Sequence, residues 1–344
     1  MKLLTNDIRR QNHELHNDIQ SAISRVLDRG WYILGPEVRD FEQEFARSCG
    51  AQDCVTTANG TDALELALRA IGVGPEDRVA TVANAGMYGT TAILRSGAAP
   101  RFVDVDPETM LMTAEGLRTA GPVKAAIVTH LYGRVADMSA LARCGVPLIE
   151  DCAQAHGAAS LGSLGNLTCF SFYPTKNLGA LGDGGAVCTN DPSVADRLRS
   201  LRQYGWTSKY RSEVPGGRNS RMDELQAAVL RAKLLHLDRW NARRREIANR
   251  YDAAFGQRTP NGVVHLYVVR TPRRDELRAS LAEAGIATEV HYPIPDHQQP
   301  SIQAVVQLPV TERLCKEIVT IPLFPEMTAA EVETVVAHCE SFLV

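Results

Sequence analysis

No run of about 18 apolar residues occurs in the 344-residue chain, so a membrane-spanning helix is not expected. Charge of either sign is not in excess. The 37 basic and 40 acidic residues leave a formal net charge of −3, which gives no electrostatic case for binding nucleic acid or a membrane surface. The start, Met1-Lys2-Leu3-Leu4-Thr5-Asn6-Asp7, turns polar too soon for the apolar region of a signal peptide, and a cytoplasmic location is expected. The 8 cysteines include no Cys-x-x-Cys pair, and Cys169 and Cys188 sit inside apolar runs, as buried reduced thiols do. This excludes a disulfide framework and a zinc site as expectations. There is no repeat and no long linker. Two phosphate-binding motifs are also missing. A Walker loop needs its glycines ahead of the lysine, whereas here they follow Lys176, and Gly182-Asp183-Gly184-Gly185 lacks dinucleotide-fingerprint spacing.

What is present is an alternation of apolar runs and amphipathic segments. Val55–Thr57, Arg78–Ala83, Arg101–Asp106, Ala125–His130 and Pro147–Ile149 read as strands, separated by helical patterns such as Leu64, Ala67, Leu68 and Ile71. That rhythm predicts an α/β fold with a mostly parallel sheet flanked by helices. A helix is expected over 13–29, a second through Phe41 and Phe45, a long one from about Ser220 through Leu235 and Leu237, and another over 273–285. Residues 206–218 are polar and expected to be irregular, and 286–292 to be a strand. The run Arg243-Arg244-Arg245-Glu246 reads as a solvated helix face, and Trp31 and Tyr32 fit core packing as their plainest reading. The length predicts two domains, 1–235 and a smaller α+β unit at 236–344.

The chain is organised around 147–186. One apolar run meets Glu150 and Asp151, and a second, Cys169–Tyr173, runs through Pro174-Thr175 to Lys176. Gly179, Gly182, Gly184 and Gly185 crowd behind the lysine, which implies backbone packed very close to something. Ligands of open parallel sheets bind outside the carboxyl ends of the strands, so Asp151 and Lys176 are candidates for one crevice. Pyridoxal phosphate uses such a pair: an amine forms a Schiff base with its aldehyde, and a carboxylate keeps its ring nitrogen protonated. Taken singly, the acid fits a surface strand end and the lysine a solvated loop equally well. Asn59-Gly60-Thr61-Asp62, entering a helix, offers free amides and a positive dipole end suited to a phosphate, or ordinary N-capping by Asn59 or Thr61.

Glu150-Asp151-Cys152-Ala153-Gln154-Ala155-His156-Gly157-Ala158 and Ser171-Phe172-Tyr173-Pro174-Thr175-Lys176-Asn177-Leu178 resemble the signature of the DegT/DnrJ/StrS sugar aminotransferases, with further matching segments from Gly30 to Pro325. The resemblance implies a fold type I aminotransferase, with the first domain binding pyridoxal 5'-phosphate. It implies Lys176 as the Schiff-base residue and proton carrier and Asp151 beside the ring nitrogen. Gly60, Thr61 and Ser171 would hold the phosphate, Tyr88 would stack on the ring, and Gln154 would meet the phenolic oxygen. Asn219 would reach the partner's phosphate in a homodimer with shared active sites. His156 is read as structural, because in this family the lysine shuttles the proton. His291-Tyr292-Pro293 and His297-Gln298-Gln299-Pro300 resemble the family's substrate loop, the resemblance places Trp31 to Pro36 near the substrate mouth, and the segment after Phe255 is shorter than usual there. The implied reaction moves an amino group from an amino acid, glutamate above all, to a nucleotide-linked keto-sugar for amino-sugar biosynthesis. Relatives that aminate cyclitol ketones, and cofactor-binding regulators without turnover, stand as alternatives. Relatives that are dehydratases carry histidine in place of the lysine.

Overall fold

The computed structural model describes residues 2–343 other than 160, 163–166, 261 and 303. The chain opens with helices α1 (Ile8–Glu14), α2 (His16–Arg29) and α3 (Pro36–Cys49). An alternating region follows: β1 (Asp53–Thr57), α4 (Gly60–Ala70), β2 (Arg78–Val82), α5 (Tyr88–Ser96), β3 (Ala99–Val103), α6 (Ala114–Thr119), β4 (Ala125–Thr129), α7 (Met138–Ala142), β5 (Leu148–Asp151), β6 (Leu167–Ser171), β7 (Gly185–Thr189) and α8 (Pro192–Leu201). The remainder comprises β8 (Trp206–Ser208), β9 (Arg211–Ser212), α9 (Glu224–Leu234), α10 (Leu237–Phe255), β10 (Tyr267–Arg270), α11 (Arg274–Glu283), α12 (Pro309–Glu317), β11 (Ile318–Ile321) and α13 (Ala329–Leu343).

Among the described residues seven strands form one sheet in the order β1-β7-β6-β5-β4-β2-β3. β3, β2, β4, β5 and β6 run parallel, while β7 is antiparallel to both β6 and β1. The parallel strands β4 and β5 are buried along their whole length, which explains why they read as continuous apolar runs. One core lies under α4 and α5, with Leu66, Leu68 and Ile93 against Val55, Val79 and Ile149. A second, formed by α10, α11, α13, β10 and β11, draws on residues 247–339 and on Leu3. The parallel α/β architecture expected from the sequence is therefore present.

Several local expectations give way. The helix expected over 13–29 is two helices, broken at Leu15 (φ −99°, ψ 18°), whose side chain packs with Ile19, Val229 and Trp240. The long helix through Leu237 also divides, at Leu235 and His236. Residues 206–212 form the small hairpin β8–β9 rather than irregular chain. Residues 286–292 make only isolated bridges, Leu3 to Ile286 and Glu289 to Thr320. Arg244 is buried, not solvated: helical spacing puts it on the face of Trp240, Ile247, Ala248 and Tyr251, and its Nη1 donates to the carbonyls of His265 (3.3 Å) and Leu323 (3.1 Å). Trp31 and Tyr32 are exposed (54% and 46%), which rules out core packing for them. Cys169 and Cys188 are buried, and all eight cysteines are free thiols. Among the described residues no helix is long and apolar enough to cross a membrane.

Candidate active site

Asp151 ends β5 and is buried because its neighbours β4 and β6 flank it on both sides. Its Oδ1 accepts from the Ala153 amide (3.1 Å) and its Oδ2 from Thr129 Oγ1 at the end of β4 (3.4 Å). Burial raises its pKa, and the Ala153 amide and the Lys176 ammonium pull the other way. Lys176 follows β6 by a tight turn, in which its amide donates to the Tyr173 carbonyl (2.8 Å). Desolvation pushes Lys176 down to about 8, opposed by the Asp151 charge. The glycines behind it are there for contact. A Cβ at Gly179 would fall 2.3 Å from the Pro174 carbonyl oxygen, and one at Gly185 would fall 2.3 Å from the Asn59 carbonyl oxygen.

Gly60 opens α4, where Asn59 caps by accepting from the Asp62 amide (2.8 Å). The amides of Gly60 and Thr61 lie in the first turn, with no carbonyl four residues back inside the helix. Ser171, the last residue of β6, stands directly against this turn: a Cβ at Gly60 would lie 2.6 Å from Ser171 Cβ. First-turn amides, a positive helix end and a hydroxyl thus meet where a side chain at position 60 would not fit.

Gln154 is buried, and its carbonyl end is taken by the Tyr132 amide (2.6 Å). That leaves its Nε2 as a donor, directed at Tyr292 Oη (3.4 Å). Tyr88, first residue of α5, is 49% exposed and meets the Tyr292 ring edge to face, with centroids 6.0 Å apart. Asn219 is exposed; its backbone bridges to Gln203, and the adjacent Ser220 Oγ accepts from the Ala58 amide (3.1 Å). Among the residues singled out from sequence, the structure brings Asp151 and Lys176 together, Gly60 with Ser171, and Gln154 and Tyr88 to the same tyrosine.

His156 is fully buried between Phe170 and Phe172, and burial drives it down to about 3, so the ring is neutral, as a packing residue should be. Behind the site, Asn177 Nδ2 donates to Asn241 Oδ1 (2.8 Å) and Asn241 Nδ2 to the His156 carbonyl (2.9 Å), which ties the lysine turn to α10. His130 Nε2 and Glu150 Oε2 pair at 2.9 Å, with Cys152 close by, but His130 Nδ1 already takes the Ala136 amide and Glu150 Oε1 the Gly162 amide. These atoms are committed to the fold. Thr129 and Tyr132 carry no local motif that would have marked them, and Asn177 lies within the lysine signature without any sign there of its distant partners. Each acts through partners 22 to 88 residues away.

A carboxylate that ends a buried parallel strand, a lysine in the turn after the next strand and a helix N-terminus able to take an anion are the groups that a pyridoxal-phosphate enzyme needs. The chain belongs to the DegT/DnrJ/EryC1/StrS aminotransferase family, whose model matches residues 13–340. It is 44% identical to the erythromycin biosynthesis sensory transduction protein EryC1 of Saccharopolyspora erythraea, over 94% of this chain and 95% of that one. It is 42% identical to the dTDP-3-amino-3,4,6-trideoxy-alpha-D-glucose transaminase of Streptomyces venezuelae, over 93% and 91%. The solved structure of S. venezuelae DesV in complex with a ketimine intermediate superposes with a TM-score of 0.94 at 39% identity, covering 98% of this chain and 97% of that one. The fold is that of the fold type I aminotransferases, the chain is an aminotransferase, and its cofactor is pyridoxal phosphate.

Proposed function

We propose that the protein transfers an amino group from an amino acid, glutamate being the expected donor, to a nucleotide-linked keto-sugar in amino-sugar biosynthesis. The observation that carries this reading is the pairing of Asp151 with Lys176 at the carboxyl edge of the sheet, opposed in charge and both desolvated. The similarity to a dTDP-amino-sugar transaminase supports the substrate class.

The residues present fit the cofactor. Lys176 Nζ would hold it covalently, Asp151 would face its ring nitrogen, and the Gly60 and Thr61 amides with Ser171 Oγ would take its phosphate. Tyr88 would offer a ring face, and Gln154 Nε2 a donor for the phenolic oxygen. Bound there, pyridoxal phosphate supplies an aldehyde that reacts with amines and a ring that withdraws electrons. Lys176 Nζ, at about 8, is in part a neutral amine near neutral pH and can accept a proton from a substrate carbon and return it. Asp151 is held by Ala153 and Thr129 so that an acceptor oxygen stays oriented.

Asn219 and the exposed Trp31, Tyr32, Tyr173, Leu181 and Tyr204 support a homodimer in which each subunit completes the other's site. The second core, drawn from residues 247–339 with Leu3, supports a small unit at 236–344 beside a cofactor-binding unit at 1–235. The eight free thiols support the cytoplasm as location. The test of the reaction is single-turnover chemistry: the purified enzyme should release one 2-oxo acid per site from glutamate, then aminate a dTDP-keto-sugar stoichiometrically. Absence of 2-oxo acid with every amino acid tried would sink the proposal.

A further inference from the structure

Helix α5 has no cap of its own. Met87, the residue before it, is left-handed (φ 71°) and has no side-chain acceptor to offer. The acceptor comes from 209 residues away. Asp296 Oδ1 accepts from the Met87 amide (2.9 Å), and Asp296 Oδ2 accepts from Thr90 Oγ1 (2.6 Å). The Asp296 amide in turn donates to the Ala83 carbonyl (2.7 Å), just beyond β2. Asp296 is 1% exposed, so these bonds are shielded from water.

The two segments that Asp296 joins each carry one ring of the aromatic pair. Tyr88 is the first residue of α5. Tyr292 lies four residues before Asp296, and its ring presses on Gly86: a Cβ there would fall 2.7 Å from two ring carbons, and φ of 72° suits glycine. The rings meet at 6.0 Å with an interplanar angle of 73°, and Tyr292 Oη reaches Gln154. The first-turn amides of α5 have no partners within the helix, so the Asp296 carboxylate supplies an acceptor that the helix itself lacks at this end.

We propose that Asp296 is a positioning residue: by capping α5 from the C-terminal segment, it sets the pose of Tyr88 and Tyr292 and so the wall against which cofactor and keto-substrate are bound. The inference rests on Tyr88 and Lys176 being cofactor residues, as proposed above. Asp296 touches no reacting atom, so its removal loosens binding more than it slows chemistry. Asparagine can replace it, since its carbonyl accepts from the Met87 amide and its NH2 donates to Thr90 Oγ1 once that hydroxyl turns.

The experiment compares wild type, Asp296→Ala, Asp296→Asn and Thr90→Val. In the cofactor-free proteins, amide hydrogen exchange is followed across 84–91. In the loaded proteins, the release rate of pyridoxal phosphate and the KM and kcat for a dTDP-keto-sugar are measured. Asp296→Ala should exchange at 84–91, release cofactor and raise KM by about tenfold or more each, with kcat changed by less than about threefold. Thr90→Val should show a smaller change of the same kind, and Asp296→Asn should stay close to wild type. Unchanged exchange in Asp296→Ala overturns the tie, and faster exchange with unchanged KM and cofactor release overturns the positioning role. A wild-type protein that takes up no pyridoxal phosphate would defeat the reading of the site, while the exchange data would still judge the tie.

Discussion

Asp151 and Lys176 each offset part of the other's burial: the carboxylate resists the fall of the amine to about 8, and the ammonium resists the rise of the acid. Among the described residues neither charge forms a salt bridge, and the two act on each other through space. Removing one partner therefore leaves the other to bear the whole cost of its burial. Lys176→Ala should abolish covalent attachment of pyridoxal phosphate and lower turnover by at least about a thousandfold. Asp151→Asn should retain attachment yet lower turnover by about a hundredfold or more, because the ring nitrogen loses its counter-charge. Absorbance of the bound cofactor and steady-state rates read both.

The same shift sets a pH dependence. A lysine with its pKa lowered to about 8 offers a neutral amine over a range where an ordinary lysine is charged. The rate at which cofactor-free protein captures pyridoxal phosphate should rise with pH up to about 8 and level off above it. A rate still climbing tenfold per pH unit between 9 and 10 would show that Lys176 titrates as an ordinary surface lysine.

Asn219 offers a test of shared sites. It is exposed in the single chain, although it lies next to Ser220, which is bound to Ala58 ahead of α4. Asn219→Ala and Lys176→Ala should each be inactive as homodimers. An equal mixture with random pairing should regain about a quarter of wild-type activity if each site takes Lys176 from one subunit and Asn219 from the other, because about half of the dimers are then mixed and each mixed dimer has one intact site. No recovery in dimers shown by mass to be mixed would place both residues in one subunit's site.

Glu224 predicts a stability effect far from the chemistry. The carboxylate, wholly buried, accepts from the amides of Gly35 (2.9 Å), Glu37 (2.9 Å) and Val38 (2.8 Å), capping α3 from the start of α9. Glu224→Gln places an NH2 where an acceptor is needed and should cost about 2 kcal/mol. Glu224→Ala should cost about 3 kcal/mol or more. Denaturant titration measures both, and the exposed Trp31 on the tethered segment should report it by fluorescence.

The parallel core could be read from sequence because β4 and β5 are apolar throughout and helical periodicity between strands is strong. The places of Asp151 at a strand end and of Lys176 just beyond the next strand were legible because both follow apolar runs closely in the chain. Helix breaks at Leu15 and Leu235 were not, since neither residue is a glycine or proline and both fit a continuing helix. Arg244 was misread because a run of arginines resembles a solvated face, whereas its carbonyl partners lie 21 and 79 residues away. Gln154 could be named, but its orientation could not, because the Tyr132 amide that turns its NH2 outward sits in a left-handed residue (φ 62°) that sequence does not announce. The Asp296 tie was invisible for the same reason of distance: a carboxylate in a proline-rich loop says nothing of a helix 209 residues earlier.

The most direct test of the account is the absorption spectrum of the purified protein with pyridoxal phosphate, recorded before and after glutamate and then after a nucleotide keto-sugar. The account predicts a lysine-bound spectrum that converts to the pyridoxamine form with glutamate and returns with the keto-sugar. A lysine-bound spectrum that ignores every amino donor would contradict it, and would point to a protein that binds the cofactor without transferring amino groups.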